Sequence, residues 1–553
     1  MRQLLSAEND FPASSVLHYM AINGCKTVVI ENPYVDKGHL DSYSEFYSRM
    51  FREVNRFTTR MHFFSEAFDE YAIARELLVG RRVYRDKALG YLGFSVIRPL
   101  PAYKIGRTVI APPPLNKETE FILGHSGFSV NLSGLALKAS GFPFMQQDTE
   151  VSCCATAALY MATKSLSQRF NYVDSTPAQI TALATRFSVE TGRAMPSSGI
   201  KYGQILEALR AMNYAPNYYC PIHSPREAQA LIYSYLESEF PLILLLYSLE
   251  QFEGHAIVTV GHDLKAREAL GIEATLSGIL GEYRIGTYPC YSRSEWVEHF
   301  FVHDDASGPY RRISFCSKGD IEDLCLKLIA SRKEKRRYKT AFHKKFDEYP
   351  CPLIIEATSY DPKAKKFQTR HIPFLLMGIT VPLPPEVTLS IQRVADVTAG
   401  LLNLIQASFL IEKSPVGNGQ IAVLPQRGVV LRPFLVLSSD FKSSLRDKRK
   451  RLPWEVELVY KGLNLPRYIW LVEIYDLDAA NDFNSDTVCL SGEIIIDPSA
   501  RPYSKDYMAV HVLNKAEKKG FLWVNRNGTD FLTPPTEIKN DRGHSPLFRS
   551  FER

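Results

Sequence analysis

The sequence QQDTEVSCCATAALYMATKSL, residues 146–166, joins a polar turn to two adjacent cysteines and then to an Ala-rich segment. Cys154, Ala157, Ala158, Met161 and Ala162 recur at helical spacing, which predicts an amphipathic helix with one buried face. Cys154 falls in its first turn. The unpaired backbone N–H groups and positive dipole end found there favour thiolate over thiol, and the thiolate is the nucleophilic form. Sliding the reading by one residue keeps small residues behind the sulfur, so Cys153 stands as the alternative. A cysteine ahead of a helix is most often a packing residue, so a catalytic role depends on the partners that later stretches of the chain supply.

PLILLLY, residues 241–247, is a short apolar run bounded by proline and fits a buried strand. GHAIVTVGHD, residues 254–263, reads as the next strand and opens with His255, a candidate base; His262, His299 and His303 are the other histidines nearby. FFVHDDASGPY, residues 300–310, is an apolar strand ending in two carboxylates before a Gly-Pro turn. A carboxylate here would accept the second imidazole N–H, fixing the tautomer and steadying the imidazolium. Paired Asp residues before a turn are also ordinary turn formers.

Gln147 followed by Cys154, Ala155, Thr156, Ala157, Ala158, Leu159, Tyr160 and Met161, then a Pro-led strand, a His-led strand and an Asp-turn, resembles the papain-like cysteine peptidases. Within them it is most similar to the bacteriocin-processing leader peptidases. The resemblance implies a papain-like core over residues 136–330, with Cys154 as nucleophile, His255 as base and a carboxylate orienting the imidazole. Asp304 matches the leader-peptidase spacing to Gly308, whereas Asp305 matches papain's. Gln147, with the Cys154 N–H, would stabilise the oxyanion; Gln146 is the spare candidate. No metal or organic cofactor is implied, and the partner is a protein or peptide substrate. In one respect the chain departs from the pattern: 48 residues separate His255 from Asp304. Such an insertion, chiefly residues 264–294, could gate substrate, or bring Glu253 or Asp263 towards the imidazole instead.

Composition bounds the remainder. With 553 residues, 45% hydrophobic and 23% charged, the chain has room for roughly three domains. A net charge of +6 does not call for nucleic acid. Two basic runs, SRKEKRRYKTAFHKK at 331–345 and RDKRKR at 446–451, lack the interleaved aromatics of a stacking surface and read as solvated faces or linker. Nine scattered cysteines without a CxxC pair suggest neither a disulfide scaffold nor a zinc module. The N-terminus has no apolar core of a signal peptide and no run is long enough to span a membrane, so a cytoplasmic location is expected.

The expected class is α+β: an N-terminal α+β domain over 1–135, the peptidase core over 136–330, and a C-terminal α+β domain over 331–553. Residues 28–36, 91–101 and 107–114 read as strands, and 43–68 as aromatic-rich helical spacing. Residues 175–187, 199–214, 224–240 and 384–406 read as helices, followed by strands at VVLRPFLVL, YIWLVEIY and GEIIIDPSA. The expected function is hydrolysis of peptide or isopeptide bonds, restrained by the flanking regions or a regulatory protein partner. A transglutaminase, deamidase or acyltransferase would use the same triad, and a non-catalytic protein could keep the core as a binding scaffold.

Overall fold

The computed structural model describes residues 11–69, 71, 90–148, 150–187, 195–197, 199–265, 290–327, 332–361, 366–412, 428–447, 452–477, 479–482, 489–499, 507–514, 519–525, 535–539 and 544–547. The chain divides into two compact α+β units. The first is Met1–Pro225, Glu239–Asp263 and His299–Leu383, and the second is Arg226–Ser238, Leu264–Glu298 and Pro384–Arg553. No described helix is long and apolar enough to cross a membrane.

The first unit opens with helix α1 (Phe11–Ile22) and a sheet of four antiparallel strands, β1 (Thr27–Tyr34), β2 (Thr58–Phe64), β3 (Tyr91–Ile97) and β4 (Ile105–Ile110). RMHFF, residues 60–64, lies in β2 rather than a helix. Its aromatics fall near helical spacing, but Arg60 and His62 share one strand face, where Glu31 of β1 accepts hydrogen bonds from both at 2.5 and 2.9 Å. Two elements then cross the expected boundary at 135. Strand β5 (Glu120–Ile122) pairs with the strand that carries His255, and the hairpin β6 (Ser126–Leu132)–β7 (Leu135–Gly141) straddles it. The N-terminal region is therefore built into the first unit. Tyr47, Val54 and Leu100 share a hydrophobic cluster with Val151 and Ala178.

Next come helices α2 (Cys154–Phe170), α3 (Pro177–Thr185) and α4 (Tyr202–Ala211). Thr176 and Gln179 form a reciprocal capping box that starts α3. Strand β8 (Asn217–Tyr219) leads to α5 (Pro225–Glu237) in the second unit, and the chain returns with β9 (Ile243–Ser248) and β10 (Gly254–Leu264). Strand β11 (Cys290–Ser292), the described end of the long insertion, pairs in parallel with residues 429–431 of the second unit. Residues 266–289, on which the gating expectation falls, lie outside the described residues. Beyond it the chain forms β12 (Val297–Asp304), β13 (Gly308–Phe315), helices α6 (Lys318–Lys327) and α7 (Arg332–Glu348), and a long hairpin, β14 (Pro352–Asp361) and β15 (Lys366–Val381).

Consecutive pairing runs β12-β13-β14-β15-β9-β10, and β10 also pairs with β12. The sheet thus closes on itself as a barrel of six strands, which leaves β10 no free edge. Two of the six come from residues 352–381. Position 330 is therefore not a domain boundary: cutting there would separate β13 and β9 from the hairpin that joins them.

The second unit holds a seven-stranded sheet, β11 with β16 (Val429–Leu437), β17 (Tyr468–Asp476), β18 (Leu490–Ile496), β19 (Tyr507–Asn514), β20 (Lys519–Val524) and β21 (Thr536–Lys539). Its longest helix is Ile391–Glu412, not 384–406; residues 384–390 form the turn before it, where Ser390 Oγ accepts from the Arg393 N–H at 3.5 Å. Phe434, Leu471, Ile495 and Leu522 build the core with helix residues Phe441, Val456 and Tyr460. One row across the sheet carries ionisable side chains: Arg432, Glu473, Glu493 and His511 are successive cross-strand partners, each 6% exposed or less. Arg432 pairs with Glu473 at 2.7 Å and also with Glu237, so the buried guanidinium is compensated. Of the basic runs, side chains 331–337 and 446–450 and all of residues 448–451 lie outside the described residues.

Candidate active site

Helix α2 presents Cys154 as its first residue, with Cys153 in extended conformation at the N-cap. The helix is buried on nearly every face, not on one. Small residues permit this, and buried hydroxyls find partners: Thr163 Oγ1 donates to Leu159 O at 2.7 Å and Ser165 Oγ to Gly124 O at 2.5 Å. The two thiols are placed differently. Cys154 lines a cleft of about 680 Å³ together with Gln147, Gly254, His255, Asp304 and Phe374. Cys153 Sγ sits 3.5 Å from Thr156 Oγ1, and burial pushes its thiol pKa up.

His255 comes from the start of β10 and Asp304 from the last residue of β12, two strands that pair in the barrel. The imidazole Nε2 lies 2.7 Å from Asp304 Oδ1, and the Cys154 side chain hydrogen-bonds to the same ring. Phe374 of β15 stacks on the imidazole, centroids 5.8 Å apart at 23°. The side chain of His255 is only 13% exposed. Burial pushes its pKa down, but the Asp304 charge and hydrogen bond, the Cys154 bond and the Asp305 charge outweigh that and hold it well above 6.5.

Asp304 is both the imidazole's partner and a turn former. Its Oδ1 also accepts from the Ala306 N–H at 2.9 Å and its Oδ2 from Ser307 Oγ. Burial raises its pKa, yet His255 and these donors win and the net shift is downward. Asp305, 1% exposed, faces the Gln147 backbone N–H and reaches His255 Nε2 only at 3.9 Å. Burial and the Asp304 charge push its pKa up to about 7.

Gln146 is 2% exposed and its side-chain oxygen accepts from the Ile105 N–H at 3.2 Å, so its amide is spent on the β4 strand. Gln147 remains half-buried on the cleft wall. The other expected alternatives are occupied: Asp263 holds His299 Nδ1 at 2.8 Å, and His303, fully buried among Phe142, Phe144 and Tyr310, has its pKa driven down to about 3 by desolvation. Glu253 lines the cleft but hydrogen-bonds Ser248 through its backbone carbonyl. Farther out, Glu250 pairs with Arg370 at 2.7 Å.

His255, Asp304 and Asp305 bring ligand atoms within 4.8 Å of one another. A tetrahedral metal holds its ligands about 3.3 Å apart, so the 2.7 Å separation of Nε2 from Oδ1 is that of a hydrogen bond and not of two metal ligands.

Sequence reading missed Arg98, Tyr47, Phe374 and Ser307. Phe374 lay in a region assigned to another domain, and Arg98 and Tyr47 carry no local motif. Asp148, also missed, had a detectable signal: a carboxylate directly before a turn can bond its own downstream N–H groups. No protein-family model, curated protein or solved structure matches the chain.

Proposed function

We propose that the chain is a cysteine hydrolase of the papain-like type that cleaves a peptide or isopeptide bond in a protein substrate. The observation that carries this reading is a single imidazole bonded through Nε2 to a buried carboxylate and hydrogen-bonded to a helix-start thiol, inside an open cleft. His255, oriented by Asp304, is placed to take the Cys154 proton. The sulfur electron pair adds to the scissile carbonyl carbon and the C=O pair moves onto oxygen, where Gln147 and the Cys154 N–H stabilise it. Collapse re-forms the carbonyl and expels the amine, which takes its proton from His255. Water, deprotonated by the same imidazole, then releases the acyl group and regenerates the thiol. A cytoplasmic, reducing setting suits a free catalytic thiol, and we extend the proposal to that location.

The test is site-resolved alkylation. Iodoacetamide is expected to modify Cys154 faster than any of the other eight cysteines, by mass spectrometry of the intact protein. Cys154→Ala should abolish that fast phase together with peptide turnover, whereas Cys153→Ala should retain most of both. A fast phase that tracks Cys153 would assign the nucleophile to the neighbouring register. Its absence would leave a scaffold without an assembled site.

A further inference from the structure

Residues 146–152 carry the Gln147 side chain and lead into Cys154, and one set of side chains from the N-terminal region holds them. Arg98, 7% exposed at the end of β3, donates through Nη2 to Gln146 O at 2.9 Å, to Gln147 O at 3.0 Å and to Tyr103 O. Its Nη1 lies 3.5 Å from Asp148 Oδ2. That oxygen also accepts from Tyr47 OH at 2.6 Å. The other, Oδ1, gathers the N–H groups of Glu150, Val151 and Ser152 at 3.0, 2.8 and 2.8 Å. A peptide plane turns as a unit, so pulling Gln146 O towards Arg98 turns the Gln147 N–H the opposite way, onto the side of Asp305. The planar guanidinium fork reaches several carbonyls at once, which a lysine ammonium would not do with the same fixed geometry.

We propose that Arg98, Tyr47 and Asp148 are positioning residues that set the oxyanion-binding geometry of Gln147 and the Cys154 N–H, without touching the substrate. This rests on the hydrolase reading above. It gives the N-terminal sheet a direct part in the reaction: the β3–β4 hairpin is the anvil on which the oxyanion loop is shaped.

Two small reagents separate this role from simple structural support. Alkylation of Cys154 by iodoacetamide displaces iodide and forms no oxyanion. Acylation by p-nitrophenyl acetate passes through a tetrahedral oxyanion before p-nitrophenolate leaves. For Arg98→Met, acylation is expected to fall roughly a hundredfold while alkylation stays within about threefold of wild type. Tyr47→Phe, which removes one hydroxyl and little volume, should lower acylation by roughly three- to tenfold, again sparing alkylation. Because Arg98 acts through Gln147, the double variant Arg98→Met/Gln147→Ala should be no slower to acylate than the worse single variant. Equal losses with both reagents, unchanged acylation, or additive losses in the double variant would each overturn the assignment. The hydrolase reading fails separately and earlier: wild-type Cys154 acylating no faster than a cysteine in a short peptide would remove it, and this inference with it, before any variant is made.

Discussion

At His255 opposing forces meet within one ring, and their balance is measurable. Its folded pKa is raised, so protonation stabilises the native state. That contribution is complete below its ordinary value of about 6.5 and is lost as pH rises through the raised value. Asp304→Asn removes the charge responsible and keeps a hydrogen-bonding group. We expect the fall in melting temperature as pH rises above about 6.5 to flatten, and turnover to drop roughly a hundredfold. Asp305 works in the other direction. Its carboxyl is held protonated up to about 7 in the folded state but ionises near 3.8 when unfolded, so stability declines as pH rises through that window. Asp305→Asn should remove that decline, raise the melting temperature at pH 8, and keep far more activity than Asp304→Asn. A steeper loss of turnover in Asp305→Asn would make it the orienting acid, despite its 3.9 Å separation from Nε2.

Among the elements, the β12–β13 turn is tightly constrained beside the site. Gly308 has φ +116°, and an added Cβ would lie 2.5 Å from the Ser15 side chain of α1. Gly308→Ala is therefore expected to cost about 2–4 kcal/mol in urea unfolding and to slow Cys154 alkylation by loosening Asp304. Adding Ser15→Gly should recover part of the stability, since it relieves the overlap but not the backbone strain. Full recovery would show that sterics alone mattered.

The same scale shows what the sequence made legible. Buried strands β9 and β10 announce themselves as apolar runs, α2 and α4 through periodicity and α3 through its capping residue, because those signals are local. Arg60 and His62 belong to a strand because of what lies across the sheet, which spacing along the chain does not report. Cys154, His255 and the Asp304–Asp305 pair could each be singled out from a local motif in a fixed order. That Asp304 Oδ1 lies 2.7 Å from His255 Nε2 while Asp305 Oδ1 lies 3.9 Å away, and that Gln146 is spent on the Ile105 N–H while Gln147 stays on the cleft wall, follows from the fold and is not written in the local sequence. Arg98 was invisible for the same reason: its four acceptor partners are assembled only by the fold.

Considered as a whole molecule, the chain interleaves its two units, and the barrel decides where it tolerates cutting. A protein ending at residue 330 would lack β14 and β15, exposing the edges of β13 and β9. It is expected to show no cooperative urea transition and no fast alkylation at Cys154. A truncated protein that unfolds cooperatively and alkylates like wild type would mean that the barrel does not depend on that hairpin.

Closure of the barrel by its last hairpin also sets a clock. Ribosomes release the polypeptide from the N-terminus, so thiol and imidazole emerge while the stave between β14 and β9 is still untranslated. Val381, the end of that stave, lies 126 positions after His255, which at 5–20 residues per second is roughly 6–25 s of translation. Throughout that interval the nascent polypeptide carries Cys154 and His255 without the complete ring of strands in which the fold sets them.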